Sequence, residues 1–308
     1  MRTIDITRST RELISIYTTQ DTRQLLRDHL ELTKIRICIM ALLMAALGYW
    51  LGSKNNGISW GHLTVSLLGI ALVGAASGII NQYLERDLDT QMHRTENRPL
   101  PAKRLSHRYA IRLGCGIGAL GELILLLFVN PVTAVLGALT LFFYLGIYTQ
   151  AKRVSPISTL IGAIPGALPP LMGWTSSFGI IHWEGLLLFL VVFCWQLPHF
   201  LAIGWRYRYD YARAGFPILP VVDATGRDTA RKIIIYLLAL AVAAALPSWL
   251  GVTGTAYLIG TSIATSVFLV SGICLAYFRN TLSAKGVFFV SIAYLPVWAI
   301  LFVWDLNR

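Results

Sequence analysis

Charge-free runs separated by short polar breaks dominate the pattern along this chain. Residues 63–80 (LTVSLLGIALVGAASGII) hold no charged side chain, and runs of similar character recur toward the C-terminal end. A stretch of about 18 residues or more is what a helix needs to cross a bilayer. The pattern predicts nine spans, near 36–52, 63–84, 110–129, 132–149, 157–174, 183–204, 231–250, 255–277 and 286–304. The runs are continuous rather than alternating between apolar and polar positions, which argues against membrane strands. The predicted fold is therefore all-α, a polytopic membrane protein of about nine transmembrane helices.

The polar breaks carry the organisation. Asn130-Pro131 and residues 251–254 form short turns, whereas residues 85–109 and 205–230 form long loops. Each long loop follows the second helix of a group of four. Spans one to four and five to eight thus read as two four-helix repeats with span nine appended. Parallel repeats set equivalent loops on the same side, facing each other over a central cavity. A polar arm, residues 1–33, precedes a single transmembrane domain, residues 34–305.

Composition agrees: 56% of the 308 residues are hydrophobic and 13% charged, against about 25% charged in soluble domains. A net charge of +11 would suggest nucleic acid until the cations are placed. Under a nine-span count, Lys54 and Arg308 fall on one side and the other Lys and Arg residues on the opposite side. That asymmetry is the positive-inside pattern. It puts the N-terminus in the cytoplasm and the C-terminus outside, assigns most of the charge to orientation and an anionic membrane surface, and reduces nucleic-acid binding to a remote option. Cys38, Cys115, Cys194 and Cys274 lie within spans without CxxC spacing, so they read as buried apolar thiols rather than a zinc site or disulfide framework. The arm holds acids and no apolar core, unlike a signal peptide. The expected location is the bacterial cytoplasmic (inner) membrane.

Candidate chemistry begins where span two ends. Asn81, Glu85 and Asp89 follow at i, i+4 and i+8, on one helical face. Two carboxylates and an amide make an oxygen-rich half-shell of the kind that holds Mg²⁺ together with substrate phosphates; a solvated acidic helix end is the plain alternative. Arg94, Arg98, Lys103 and Arg104 come next, and cations after metal-binding acids suit a diphosphate. Lys152 and Arg153, at the inner end of span four, read either as headgroup anchors or as a clamp on diphosphate oxygens. Span five, with Pro165, Pro169, Pro170 and Gly162, Gly166, Gly173, is predicted to be a broken, close-packed helix lining the cavity. Span six ends in Trp195-Gln196-Leu197-Pro198-His199, where Pro198 should loosen the helix. His199 reads as a ligand or proton carrier, or as an interfacial ring bonded to a carbonyl. Asp210 reads as a site acid or as the partner of Arg206 or Arg213. Glu122 is a mid-span acid without an assigned role.

The string Asn81-x3-Glu85-x3-Asp89 resembles the first acidic motif of the UbiA superfamily of intramembrane prenyltransferases. Extended through Arg86-Asp87, Met92, Arg94-Thr95 and Arg98-Pro99-Leu100-Pro101, it resembles the protohaem IX farnesyltransferase (haem O synthase) subgroup. Tyr148-x3-Lys152-Arg153, Gly162-x2-Pro165-Gly166-Ala167-x-Pro169-Pro170-x2-Gly173-Trp174, Trp195-Gln196-x-Pro198-His199-Phe200 and Asp210-Tyr211-x2-Ala214-Gly215-x-Pro217-x-Leu219-Pro220 match in order. The likeness covers roughly residues 30–300. Glu85 stands where the superfamily more often has Asp, Ile35 replaces a Pro usual in Leu32-Thr33-Lys34-x-Arg36, and Tyr209 takes the place of an acid before Asp210.

The resemblance implies transfer of farnesyl from farnesyl diphosphate to haem b with addition of water, giving haem o and diphosphate. It implies Mg²⁺ on Asn81, Glu85 and Asp89, phosphate contacts from Arg94, Arg98, Lys152 and Arg153, and haem contacts from His199, Trp195, Arg153 and Asp210. The alternatives are a related enzyme acting on a quinone precursor or chlorophyll-like ring, and, remotely, a transporter. A transporter should carry its charges near the bilayer centre. Haem-pathway or oxidase-assembly partners leave no signature in the sequence.

Overall fold

The structure, a computed structural model, describes residues 22–54 and 57–306. Most of the arm, residues 1–21, lies outside them. A helix over residues 22–32, α1, is followed by α2 (Ile35–Gly52), α3 (Trp60–Asp89), α4 (His107–Val129) and α5 (Pro131–Ala151). Then come α6 (Ser158–Phe178), α7 (Trp183–Arg206), the short α8 (Arg208–Arg213) and α9 (Leu219–Val222), and α10 (Arg227–Trp249), α11 (Thr255–Phe278) and α12 (Thr281–Trp304). Eight of these are long and apolar enough to cross a membrane. The ninth long helix, α6, is 21 residues long, but its prolines, glycines and hydroxyls make it less apolar. The chain is an integral membrane protein built from helices, with outward stripes such as Ile259, Ile263, Val267 and Val270 exposed for lipid.

Local signals set the ends. Asn130 caps α5, its Oδ1 accepting from Thr133 N at 2.8 Å, with Pro131 at the first turn. Proline is suited there because its missing N–H would be unpaired anyway. The same Asn130 donates to the Thr175 carbonyl at 2.8 Å, tying this turn to α6. Asn280 and Ser283 form a reciprocal capping box at α12.

Helix α6 differs from the expectation of a broken helix. It runs unbroken through Pro165, Pro169 and Pro170. Neighbouring helices can support a backbone that proline disturbs, and here Gln196 of α7 donates to the Ala163 carbonyl at 2.8 Å. Packing does the rest. A Cβ on Gly48 of α2 would sit 1.9 Å from the Pro170 oxygen, and one on Gly173 would sit 1.8 Å from the Ala45 oxygen. The two backbones therefore touch at a reciprocal pair of glycines, joining the first repeat to the second. Helix α7 likewise continues through Pro198.

Cys38 and Cys194 are buried, but Cys115 and Cys274 are exposed on the outward faces of α4 and α11. A thiol facing lipid loses nothing by being outside the bundle, so an apolar span does not fix which way its cysteines point.

The two long loops meet. Met92 of the first packs in one buried cluster with Tyr211, Ala214, Phe216 and Ile218 of the second. Helix α1 is fastened to the first loop, where Arg104 Nε reaches Asp28 at 2.9 Å.

Candidate active site

Helix α3 is 30 residues long, about 45 Å at 1.5 Å per residue, against a hydrocarbon core of about 30 Å. Its last turns therefore rise past the acyl chains, and Asn81, Glu85 and Asp89 stand at headgroup depth rather than at the bilayer centre. All three are buried, at 2%, 3% and 0% exposure. Asp87, between them in sequence, faces away with an exposed side chain 3.4 Å from Arg86.

Each of the three polar groups meets a cation or a hydroxyl from another element. Lys34, between α1 and α2, donates to Asn81 Oδ1 at 2.6 Å, and Asn81 Nδ2 donates to Thr149 Oγ1 at 3.1 Å. Lys152, just past α5, lies 3.0 and 3.2 Å from the two carboxylate oxygens of Glu85. Arg98, from the first long loop, donates to Asp89 Oδ2 at 2.8 Å. Asp89 Oδ1 is buried with no hydrogen-bond partner. A buried carboxylate oxygen without a donor costs free energy, and a hard divalent cation is the chemistry that would satisfy it. Among the described residues no three His, Cys, Asp or Glu side chains gather to cage a metal. A cation here would take one or two carboxylates and fill its shell from water and phosphate, as Mg²⁺ does.

Lys34 adopts a left-handed backbone, φ 54°, as the chain turns from α1 into α2. Such conformations are costly for residues other than glycine and persist where the surroundings impose them. Burial, then the nearby Arg98, pulls its ammonium down to about 8. Burial also opposes the charge on Lys152, but the Glu85 carboxylate outweighs it and holds that ammonium above its ordinary range. Cations thus outnumber acids in this cluster, which suits an incoming diphosphate.

Aromatic rings close the cluster. Lys152 lies 4.4 Å from the Phe216 ring centroid and 5.5 Å from that of Tyr211. Arg94 donates to Tyr211 Oη at 2.6 Å and lies over the Tyr211 and Tyr207 rings. A widened π-helical turn at Phe142–Tyr148 places Tyr144 and Tyr148 in a stack 5.4 Å apart, with Tyr144 Oη 3.3 Å from Lys34 Nζ. Thr149 Oγ1 donates at 2.8 Å to the Tyr144 carbonyl, which also takes the Thr149 N–H.

The remaining predicted residues sit elsewhere. Arg153 donates to the Leu84 carbonyl at 2.7 Å, bracing α3 from behind. Asp210 pairs with Arg213 at 3.2 Å, leaving its neighbour Tyr211 to meet the acids' cations. Trp195 and His199 lie where α7 packs on α12, with His199 bonded to Ser291. Glu122 keeps one buried oxygen without a partner, and a Cβ on Gly137 would crowd it. Sequence reasoning missed Lys34, Tyr144, Thr149, Tyr211 and Phe216. Lys34 had a signal, since it sits in the Leu32-Thr33-Lys34-x-Arg36 string at the foot of the first apolar run.

The sequence profile of the UbiA prenyltransferase family matches residues 41–305. A protoheme IX farnesyltransferase of Solibacter usitatus is 40% identical over 280 residues, covering 88% of this chain and 96% of the relative. One of Sorangium cellulosum is 43% identical, covering 76% and 84%. Among solved structures, a digeranylgeranylglyceryl phosphate synthase superposes with a TM-score of 0.76 at 19% identity, covering 91% of this chain and 98% of its own. A UbiA homologue of Archaeoglobus fulgidus bound to DMAPP and Mg²⁺ gives 0.64 at 15%, covering 90% and 99%. At such identities the structures speak for the fold.

Proposed function

The chain belongs to the UbiA prenyltransferase family and is a prenyltransferase; from that premise we propose that it transfers farnesyl from farnesyl diphosphate to a vinyl group of haem b, with addition of water, to give haem o and diphosphate. The names of its relatives at 36–43% identity support the acceptor. The observation that carries the reaction type is the buried Asp89 carboxylate, held on one side by Arg98 and open on the other.

In this reading residues 34–305 act as one domain and residues 1–33 as its arm, in a bacterial cytoplasmic membrane with the N-terminus inside and the C-terminus outside. Asn81, Glu85 and Asp89 would hold Mg²⁺ beside the diphosphate. That ion, when bound, offsets the negative charge that grows on the leaving group. Lys34, Lys152 and Arg98 exchange their carboxylate and amide partners for phosphate oxygens, and Arg94 reaches the same group from its place against Tyr211. Preset cations of this kind stabilise the leaving diphosphate without reorganising at the moment of reaction. The allylic carbon–oxygen bond breaks, and the Tyr144, Tyr148, Tyr211 and Phe216 rings shield the electron-poor carbon from early capture by water. The carbon then bonds to the vinyl terminus, water adds at the adjacent carbon, and the proton it loses leaves with diphosphate. His199 and Trp195 belong to the haem side, while Arg153 braces α3 and Asp210 holds Arg213 in the second loop.

The test uses purified protein in detergent with haem b, farnesyl diphosphate and Mg²⁺, reading the mass of the extracted pigment. A gain of farnesyl plus water, absent in Glu85→Ala, supports both donor and acceptor. Unchanged haem alongside a prenylated phenol would remove the haem assignment and leave the family reaction.

A further inference from the structure

His199 is held from three sides where α7 meets α12. Its imidazole lies between Trp195 and Phe288, with centroid separations of 5.2 Å to each and interplanar angles of 20° and 24°. Its Nδ1 is 2.7 Å from Ser291 Oγ. The Ser291 hydroxyl has one proton, and it is directed at the Phe288 carbonyl, 2.6 Å away. Toward the imidazole, Ser291 Oγ is therefore the acceptor, and Nδ1 must carry the ring hydrogen. That leaves the lone pair on Nε2, which has no hydrogen-bond partner among the described residues. Trp195 Nε1 donates to the Ser291 carbonyl at 2.8 Å, so the ring, its acceptor and its stacking partner are fixed together.

A histidine that serves only packing has no need of a set tautomer. A ligating histidine does: it donates its second N–H to a neighbour, which orients the ring and raises its basicity. Two cations lie along the same seam. Arg206 follows His199 by seven residues on the same face of α7, about 10 Å along the axis, and its guanidinium is 5.9 Å from the Phe288 ring. Lys285 stands one turn before Phe288 on α12. Neither makes an ion pair with a carboxylate among the described residues.

The geometry points to a haem dock on the α7–α12 seam, where Nε2 of His199 takes the iron, Ser291 is the positioning residue that sets its tautomer, and Arg206 with Lys285 takes the propionates. The inference rests on haem b being the acceptor. A porphyrin bound at Nε2 lies across the imidazole plane, so it would rest on the edges of Trp195 and Phe288, which are nearly parallel to that imidazole. Its carboxylate edge would turn toward the headgroup end of the seam, where charge is tolerated, and the macrocycle would stay at acyl depth.

The experiment titrates purified protein in detergent with ferric haem b, and separately with haem b dimethyl ester, reading absorption and electron paramagnetic resonance. Wild type should show a nitrogen-ligated iron with both. His199→Ala should lose that signature and regain it with added imidazole. Ser291→Ala should bind about tenfold more weakly with a mixed spectrum, the scale of one hydrogen bond, and Ser291→Thr should behave as wild type. Arg206→Gln should weaken haem b about tenfold and leave the ester unaffected, since the ester has no propionate charge to lose. A nitrogen-ligated spectrum that survives His199→Ala, or an equal loss for haem and ester in Arg206→Gln, overturns the dock. If wild type farnesylates haem b but the spectrum ignores His199, only the dock fails. If wild type neither binds nor modifies haem b, the proposed acceptor fails with it.

Discussion

Glu85 and Lys152 allow structure and chemistry to be separated in one set of variants. Their side chains are 4% and 9% exposed and 3.0 Å apart at the nearest atoms. Removing one partner of a buried pair leaves an uncompensated charge and costs about 3–5 kcal/mol, whereas replacing both by neutral groups of similar volume is often close to neutral. Here the cost should be largest for Glu85→Gln, because Lys34, Lys152 and Arg98 then crowd around Asp89 alone, and burial followed by Arg98 already pulls the Lys34 ammonium down. Lys152→Met should cost slightly less, since Glu85 keeps other cations nearby. The double variant Glu85→Gln/Lys152→Met should regain most of the stability, which makes the coupling nearly the sum of the two single costs. Prenyl transfer should be lost in all three, because the metal-facing carboxylate or a phosphate-facing cation is missing in each. Thermal unfolding in a fixed detergent and a single-time-point mass assay supply the two readouts. A double variant as unstable as the sum of the singles would refute the pairing argument. Retained transfer in Glu85→Gln would refute the role of this helix face.

Asp89→Asn keeps a carbonyl for Arg98 but loses the charge of the partnerless oxygen, so the transfer rate should fall by about 100-fold or more, with an increased need for Mg²⁺ measured across a metal titration. Gly173→Ala places a methyl against the Ala45 carbonyl and should destabilise by about 1–3 kcal/mol or more. Gly116→Ala, which meets nothing within 4 Å, should be neutral or slightly stabilising in the same thermal assay. Burial pushes the Asp223 carboxyl up, but hydrogen bonds from Thr229, Thr225 and Gly226 outweigh it and hold its pKa below the ordinary value. Its contribution is therefore present above the unfolded-state pKa and lost as pH falls through the folded one. Asp223→Asn should lower stability at neutral pH by about 1 kcal/mol and flatten this part of the acid-induced loss in a pH series of melting curves.

The helices were legible because span length and the absence of charge are the same observation. The end of α3 was legible because a fourfold spacing of polar residues has one geometric meaning on a helix. The loops were less so. Nothing in the spacing of Asp210 and Tyr211 says which of them turns toward Glu85; the short α8 pairs Asp210 with Arg213 and sends Tyr211 inward. Lys34 was hidden for a different reason, since a lysine before an apolar run ordinarily anchors a helix at the headgroups, and only the left-handed turn aims it at Asn81. The unbroken course of α6 was also out of reach, because proline's local effect is overridden by contacts from α2 and α7 that lie far off in sequence.

The glycine contact between α2 and α6 also bears on how the molecule moves. Backbone lies on backbone at Gly48 and Gly173, with no side chains between them to change rotamer and take up slack. Sliding by a single residue would bring larger side chains into the crossing. The seam between the repeats is therefore a pinned joint. Alternating access by rocking one bundle against the other needs a seam that can rearrange, and this one resists it. Entry and exit of substrates then fall to the 90–106 and 207–226 segments at the headgroup face, which meet each other through side chains.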